Sequence, residues 1–161
     1  MVNVAFVCLG NICRSPMGEL IFKKLVEEEG LSASIKVASF GTSDWEEGSR
    51  MYPPAKRTLE EHGIEGDHTA RQLKKSDIMN TDYILVMDSQ NLIDVLRIAG
   101  ERYASKVFKL CSFAERPRDV ADPWYTRDFE RAYSDITDGC KGFLKFLKSE
   151  KASAFAYDGA H

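Results

Sequence analysis

An apolar run, Val2 to Val7, meets a helical pattern opened by Pro16, and between them lies Cys8-Leu9-Gly10-Asn11-Ile12-Cys13-Arg14-Ser15. No other stretch constrains the fold as tightly. A strand that turns straight into a helix leaves several backbone N–H groups unpaired. They point into the turn together with the positive end of the helix dipole, so the turn binds a phosphate dianion or a cysteine sulfur held as thiolate. Pro16 suits the first helical position because its missing N–H has no partner to lose there. Gly10 lets the backbone curl around an anion, and Arg14 offers a planar fork for two phosphate oxygens. The Ser15 hydroxyl either donates to Cys8 or caps the helix, and one residue could do both.

The rest of the chain reads as strands alternating with helices. Strands are expected at Val2 to Val7, Ile35 to Phe40, Tyr83 to Met87 and Val107 to Leu110. Helical spacing is expected over Pro16 to Glu29 with Gly30 behind it, from about Pro54 to Gly63, and from Ser89 to Ala99 with Asp88 as N-cap. The strongest stripe starts after Asp128, its expected N-cap, and runs to about Glu150 through Phe129, Ala132, Tyr133, Ile136, Cys140, Phe143, Leu144 and Leu147. This order implies an α/β fold: a small four-stranded parallel sheet with helices on both faces and a phosphate-binding loop after the first strand. In such sheets ligands bind at the carboxyl ends of the strands. The Cys8 loop, Ser39 to Trp45, and Ala114 to Thr126 leave three of those ends.

At 161 residues the chain supports one core, expected to be a single domain over 1–150 with a flexible tail over 151–161. Formal net charge is −3, so no overall basic field recruits nucleic acid, and no apolar run is long enough to span a bilayer. The N-terminus lacks a secretory leader, and Cys8, Cys13, Cys111 and Cys140 form no secreted disulfide framework, which implies a cytoplasmic protein with free thiols. Cys8 and Cys13 have a spacing that zinc sites use, with His62 and His68 as conceivable further ligands. Arg14 beside Cys13 is a poor neighbour for a dication, so neither metal nor other cofactor is expected.

A thiolate that attacks phosphorus expels an alkoxide or phenoxide, and that oxygen needs a proton from the far side. Asp122 is the leading acid, since it precedes Pro123 in the loop after the fourth strand and is followed by Trp124 and Tyr125 as apolar walls. Asp119 and Asp128 are its neighbours and rivals, Asp128 being better explained as a helix cap.

Cys8 to Pro16 together with Asp122-Pro123-Trp124-Tyr125 resemble the low-molecular-weight protein tyrosine phosphatases, and the similarity extends from Val4 to about Leu147. Ser39 with Thr42, His68-x-Ala70-Arg71-Gln72, Asp82-Tyr83-Ile84 and Met87-Asp88 also match that pattern. The resemblance implies Cys8 as nucleophile, Arg14 gripping the phosphate, and Asp122 as general acid and then general base for water. It further implies that Asn11, Ser15, Ser39 and His68 form the network holding the loop. Leu9, Gly10, Asn11, Ile12, Cys13 and Ser15 would surround the phosphate, and Trp45, Trp124 and Tyr125 would wall the ring. Arg127 stands where many members carry Gly. The expected partners are phosphotyrosine proteins, with inorganic phosphate as product and inhibitor and the chain acting as a monomer.

Related readings use the same loop. Arsenate reductases on this scaffold need two further cysteines near the third strand, and Ile78 to Asn91 contains none. Protein arginine phosphatases carry Thr where Ile12 stands, and a bulky apolar Ile favours a phenyl ring. A non-catalytic phosphate-binding module would need neither a reactive sulfur nor Asp122. A redox sensor would use Cys13 as partner to trap oxidised Cys8 as a disulfide.

Overall fold

The computed structural model describes residues 1–153 and 155. Four parallel strands, β1 (Val2–Cys8), β2 (Ile35–Gly41), β3 (Tyr83–Val86) and β4 (Val107–Lys109), form one sheet in the order β2-β1-β3-β4. Register is fixed at the carboxyl end, where Cys8 pairs with Gly41 and Val7 with Val86.

Strand periodicity explains how one apolar run serves two cores. Val2, Val4, Phe6 and Cys8 face the larger core, shared with α1 (Arg14–Glu28), α2 (Pro53–Glu61) and α6 (Phe129–Glu150). Ala5 and Val7 point the other way, toward α3 (Lys75–Met79) and α4 (Ser89–Ala99). Helices therefore cover both faces. On the larger side Phe22 bridges Phe6 and Phe143 with ring centroids 5.7 and 5.5 Å apart, tying α1 and α6 to the central strand.

β1 is the point where strand order reverses: the chain places β2 on one side of it and β3 on the other. The connection after β1 leads to α1 on one face and that after β3 to α4 on the other, so a crevice opens between their carboxyl ends. Arg14 and Asp88, one at the start of each helix, meet across it.

Several expected boundaries shift. α1 begins at Arg14, so Pro16 lies two residues inside the first turn, still where an N–H has no intrahelical partner. β3 ends at Val86 and β4 at Lys109, and Leu110 enters a 3₁₀ turn over Leu110–Ser112. The short helices α3 and α5 (Pro123–Thr126) and the 3₁₀ segment Glu101–Lys106 carry no full period of apolar residues, which is why no spacing announces them. Asp88 and Asp128 cap their helices as expected, accepting from the Asn91 and Arg131 N–H groups. Of the segment expected as a flexible tail, Phe155 is buried in the larger core. Residues 154 and 156–161 lie outside the described residues.

Candidate active site

Cys8 ends β1 and is nearly inaccessible, at 4% exposure. Its Sγ lies 3.4 Å from the Ser15 N–H, which donates to it, and 2.9 Å from Ser15 Oγ. Asn11 Nδ2 donates to that same oxygen at 2.8 Å, which leaves the hydroxyl proton free to meet the sulfur when Cys8 is a thiolate. Ser15 is thus the second residue of α1 and not its cap, a place that Cys13 takes without a side-chain hydrogen bond. The N–H groups of residues 10–14 meet no protein acceptor among the described residues and are free to meet an anion.

The strained residue of this loop is Asn11, with φ of 59°, and not Gly10, whose backbone is unexceptional and whose added Cβ would meet only ordinary contacts. Asn tolerates the left-handed region, and here its side chain uses the conformation fully. Nδ2 donates to Ser15 Oγ and, at 3.1 Å, to Ser39 Oγ, while Oδ1 accepts from Arg71 N at 3.0 Å and lies 2.7 Å from His68 Nε2. Ser39 Oγ donates in turn to Glu19 Oε1 at 2.6 Å, and Lys23 Nζ binds Oε2 at 2.6 Å. The supporting network expected of Asn11, Ser15, Ser39 and His68 is therefore assembled, and it rests on Glu19. That buried acid was legible only as a charge on the apolar face of α1, four residues after Ser15. Burial pushes His68 below its ordinary value, with Arg71 and Lys23 adding to the effect and Glu19 opposing it.

The loop after β2 latches the phosphate loop from outside. Thr42 N donates to Cys8 O, Ser43 N and Oγ to Leu9 O, and Tyr52 N to Ile12 O. Gly41 makes this approach possible: a Cβ there would sit 2.8 Å from Leu9 O.

Arg14, 3% exposed, is aimed by two acceptors on Nη1, Asp88 Oδ2 at 2.7 Å and Val120 O at 2.7 Å. Nη2 is 3.4 Å from Asp122 Oδ2. Burial pulls the guanidinium down, but Cys8, Asp122 and Asp88 more than offset this and hold it above its ordinary value. Asp88 caps α4, as expected, and holds Arg14 as well. Asp122 also has two tasks, since its other oxygen caps α5 by accepting from Trp124 N at 3.0 Å. Asp119 points away to Lys109 and Ser89, which removes it as a rival acid. Cys13 is pushed up to about 12, first by burial and then by Cys8 and Asp122.

These groups surround a cavity of about 250 Å³ lined by Cys8, Leu9, Gly10, Ile12, Cys13, Arg14, Trp45, Glu46, Asp122, Trp124 and Tyr125. All three expected loops converge on it. Asn11 and Ser15 lie behind the lining, because their side chains turn inward to the network. Trp45, Trp124 and Tyr125 are exposed at the rim. Glu46 and Tyr52, which packs on Trp124 with centroids 4.9 Å apart, are further site residues that no spacing indicated. His62 stacks on Tyr133 and pairs with Glu130, away from the cysteines. Among the described residues no group of three His, Cys, Asp or Glu side chains is gathered to hold a metal, and no helix is long and apolar enough to cross a membrane.

Comparison with known proteins agrees with this geometry. The profile of the family described as low molecular weight phosphotyrosine protein phosphatase matches residues 3–153. The low molecular weight protein-tyrosine-phosphatase YfkJ of Bacillus subtilis is 38% identical over 154 residues, 94% of this chain and 99% of that protein. A solved protein tyrosine phosphatase from Entamoeba histolytica superimposes with a TM-score of 0.90 at 32% identity, over 94% of this chain and 99% of that one. A drosophila arginine phosphatase shares the fold with a TM-score of 0.84 at 31% identity, over 90% and 97% of the two chains. With a profile match along nearly its whole length and a relative this similar, the chain belongs to the low molecular weight phosphotyrosine protein phosphatase family.

Proposed function

We propose that this enzyme, a phosphoric monoester hydrolase of its family, cleaves phosphotyrosine and small aryl phosphates through a phosphocysteine on Cys8. The observation that carries the reading is the Cys8 sulfur in contact with both the N–H and the hydroxyl of Ser15, in a cavity that Arg14 and Asp122 also line. The sulfur attacks phosphorus from below while the unspent N–H groups of the loop and the Arg14 guanidinium hold the equatorial oxygens. Asp122 gives its proton to the departing phenolic oxygen, and the S–P bond forms as the P–O bond breaks. In the second half Asp122, now a carboxylate, takes a proton from water as that water attacks phosphorus. Cys8 leaves as thiolate, stabilised by Ser15, and inorganic phosphate remains in the cradle as product and competitive inhibitor.

Substrate choice rests on depth and on one side chain. The aromatic rim suits an aryl group long enough to bring phosphorus to the sulfur, and Ile12 lines the cavity as an apolar surface for a phenyl ring rather than a guanidinium. Cys13 is the proposed partner for Cys8 after oxidation, its thiol condensing with a peroxide-generated sulfenic acid to give a disulfide and water. The four free cysteines support a cytoplasmic location.

The test compares wild type with Cys8→Ser on phosphotyrosine, phosphoarginine and arsenate. Wild type is expected to hydrolyse phosphotyrosine preferentially, and Cys8→Ser to bind phosphate without turnover. Retained turnover by Cys8→Ser, or a preference for phosphoarginine, overturns the respective part of the reading.

A further inference from the structure

Arg127 is a second left-handed non-glycine residue, with φ of 61°, at the end of α5. That position ordinarily goes to glycine, because a Cβ crowds the neighbouring carbonyl there. Its side chain makes contacts that a glycine could not. Nη2 donates to Tyr52 Oη at 3.0 Å and Nη1 to Trp124 O at 3.4 Å, and the guanidinium lies 5.4 Å from the Tyr52 ring centroid and 5.5 Å from that of Phe129. Tyr52 is itself anchored, its N–H donating to the Ile12 carbonyl of the phosphate loop at 2.9 Å and its ring packing on Trp124.

We infer that Arg127 is a positioning residue that clamps Trp124 against Tyr52 and so sets the width of the aromatic slot above Cys8. Of the three aromatic walls, Trp45 and Tyr125 pack on no other ring among the described residues and are more than 70% exposed, at 77% and 75%. Trp124, at 45%, is the wall backed by another ring, and Arg127 ties the two together by bonding the Tyr52 hydroxyl and the Trp124 carbonyl. Backbone strain at a site edge is kept only where surrounding contacts over-determine it, and four such contacts meet at this guanidinium. The inference rests on the phosphatase reading above and refines it: the clamp acts on the ring of the substrate and not on its phosphate.

The alternative role, a rim cation that attracts any phosphate dianion, differs in what it predicts. Arg127→Gly removes the clamp and relieves the strain together. With kcat on p-nitrophenyl phosphate kept within about twofold, KM for aryl phosphates is expected to rise roughly fivefold while KM for an alkyl phosphate such as glycerol phosphate stays unchanged. Tyr52→Phe, which removes only the hydroxyl partner, should move the same aryl-to-alkyl ratio part of the way, and Arg127→Lys should restore part of it. In a Trp45→Phe background Trp124 is the sole tryptophan, and acrylamide should quench its fluorescence more strongly once Arg127 is replaced. Equal rises in KM for aryl and alkyl phosphates, or unchanged quenching in Arg127→Gly, overturn the clamp. Absence of p-nitrophenyl phosphate hydrolysis by wild type would instead overturn the phosphatase reading, so the two failures are distinct.

Discussion

Ser15 Oγ stands 2.9 Å from Cys8 Sγ while taking a hydrogen bond from Asn11 Nδ2, so its own proton is available to the sulfur whenever Cys8 is a thiolate. The arrangement matters most when sulfur is expelled as thiolate in the second half-reaction. A hydrogen bond to a charged group contributes about 1.5–3 kcal/mol. Ser15→Ala should therefore lower kcat roughly 10- to 100-fold. The loss should fall on phosphoenzyme breakdown, so a pre-steady-state burst of phenol is expected where wild type shows little.

Asp122 shares its oxygens between Arg14, at 3.4 Å, and the start of α5, and it lines the cavity that Cys8 also lines. Asp122→Asn keeps the cap and removes the proton. Turnover should fall by roughly 10²- to 10⁴-fold, and most for leaving groups of high pKa. A series of substituted phenyl phosphates reads this as a steeper dependence of rate on leaving-group pKa.

Cys13 offers a check on the electrostatics. Burial and two neighbouring anions push its thiol up to about 12, which means that it stays protonated throughout the neutral range. Iodoacetamide should leave Cys13 unmodified over times that inactivate the enzyme through Cys8. Fragment-ion mapping distinguishes the two sites, and in Cys8→Ser neither of these loop positions should be labelled.

The segment that carries Asp122 is tethered at Arg118, whose Nε meets Asp135 at 2.8 Å and whose Nη2 meets Asp138 at 2.8 Å on α6. Asp135 is 8% exposed, and its only other cation among the described residues is Arg131 at 3.9 Å. Arg118→Met should cost about 2 kcal/mol by leaving that carboxylate poorly paired. Thermal unfolding should then move down by roughly 4–8 °C. Adding Asp135→Asn should recover part of the loss, which a double-mutant cycle reads as coupling.

The parts of the site that were legible share a property: their geometry is set within one or two turns of chain. Cys8, Arg14 and Ser15 lie within eight residues of a strand-to-helix turn, and that backbone alone makes an anion cradle. Asp122 with Pro123 was readable for a similar reason, as a cap-forming acid in a loop whose place followed from the strand count. Conformation inside the turn was less readable. The glycine rule pointed to Gly10, whereas four side-chain hydrogen-bonding contacts made the left-handed state worthwhile for Asn11.

What the sequence determined by itself was the alternation of strands and helices and the local chemistry of the phosphate loop, because periodicity and short spacing act along the chain. The tertiary structure decided which distant groups would orient that chemistry. Glu19 under Ser39, Asp88 and the Val120 carbonyl on Arg14, and Tyr52 behind Trp124 become partners only after the strand order reverses at β1 and three loops close on one crevice. A buried charge or an aromatic ring declares no partner in sequence, since the free energy that selects one comes from desolvation and contact, and both exist only once the chain has packed.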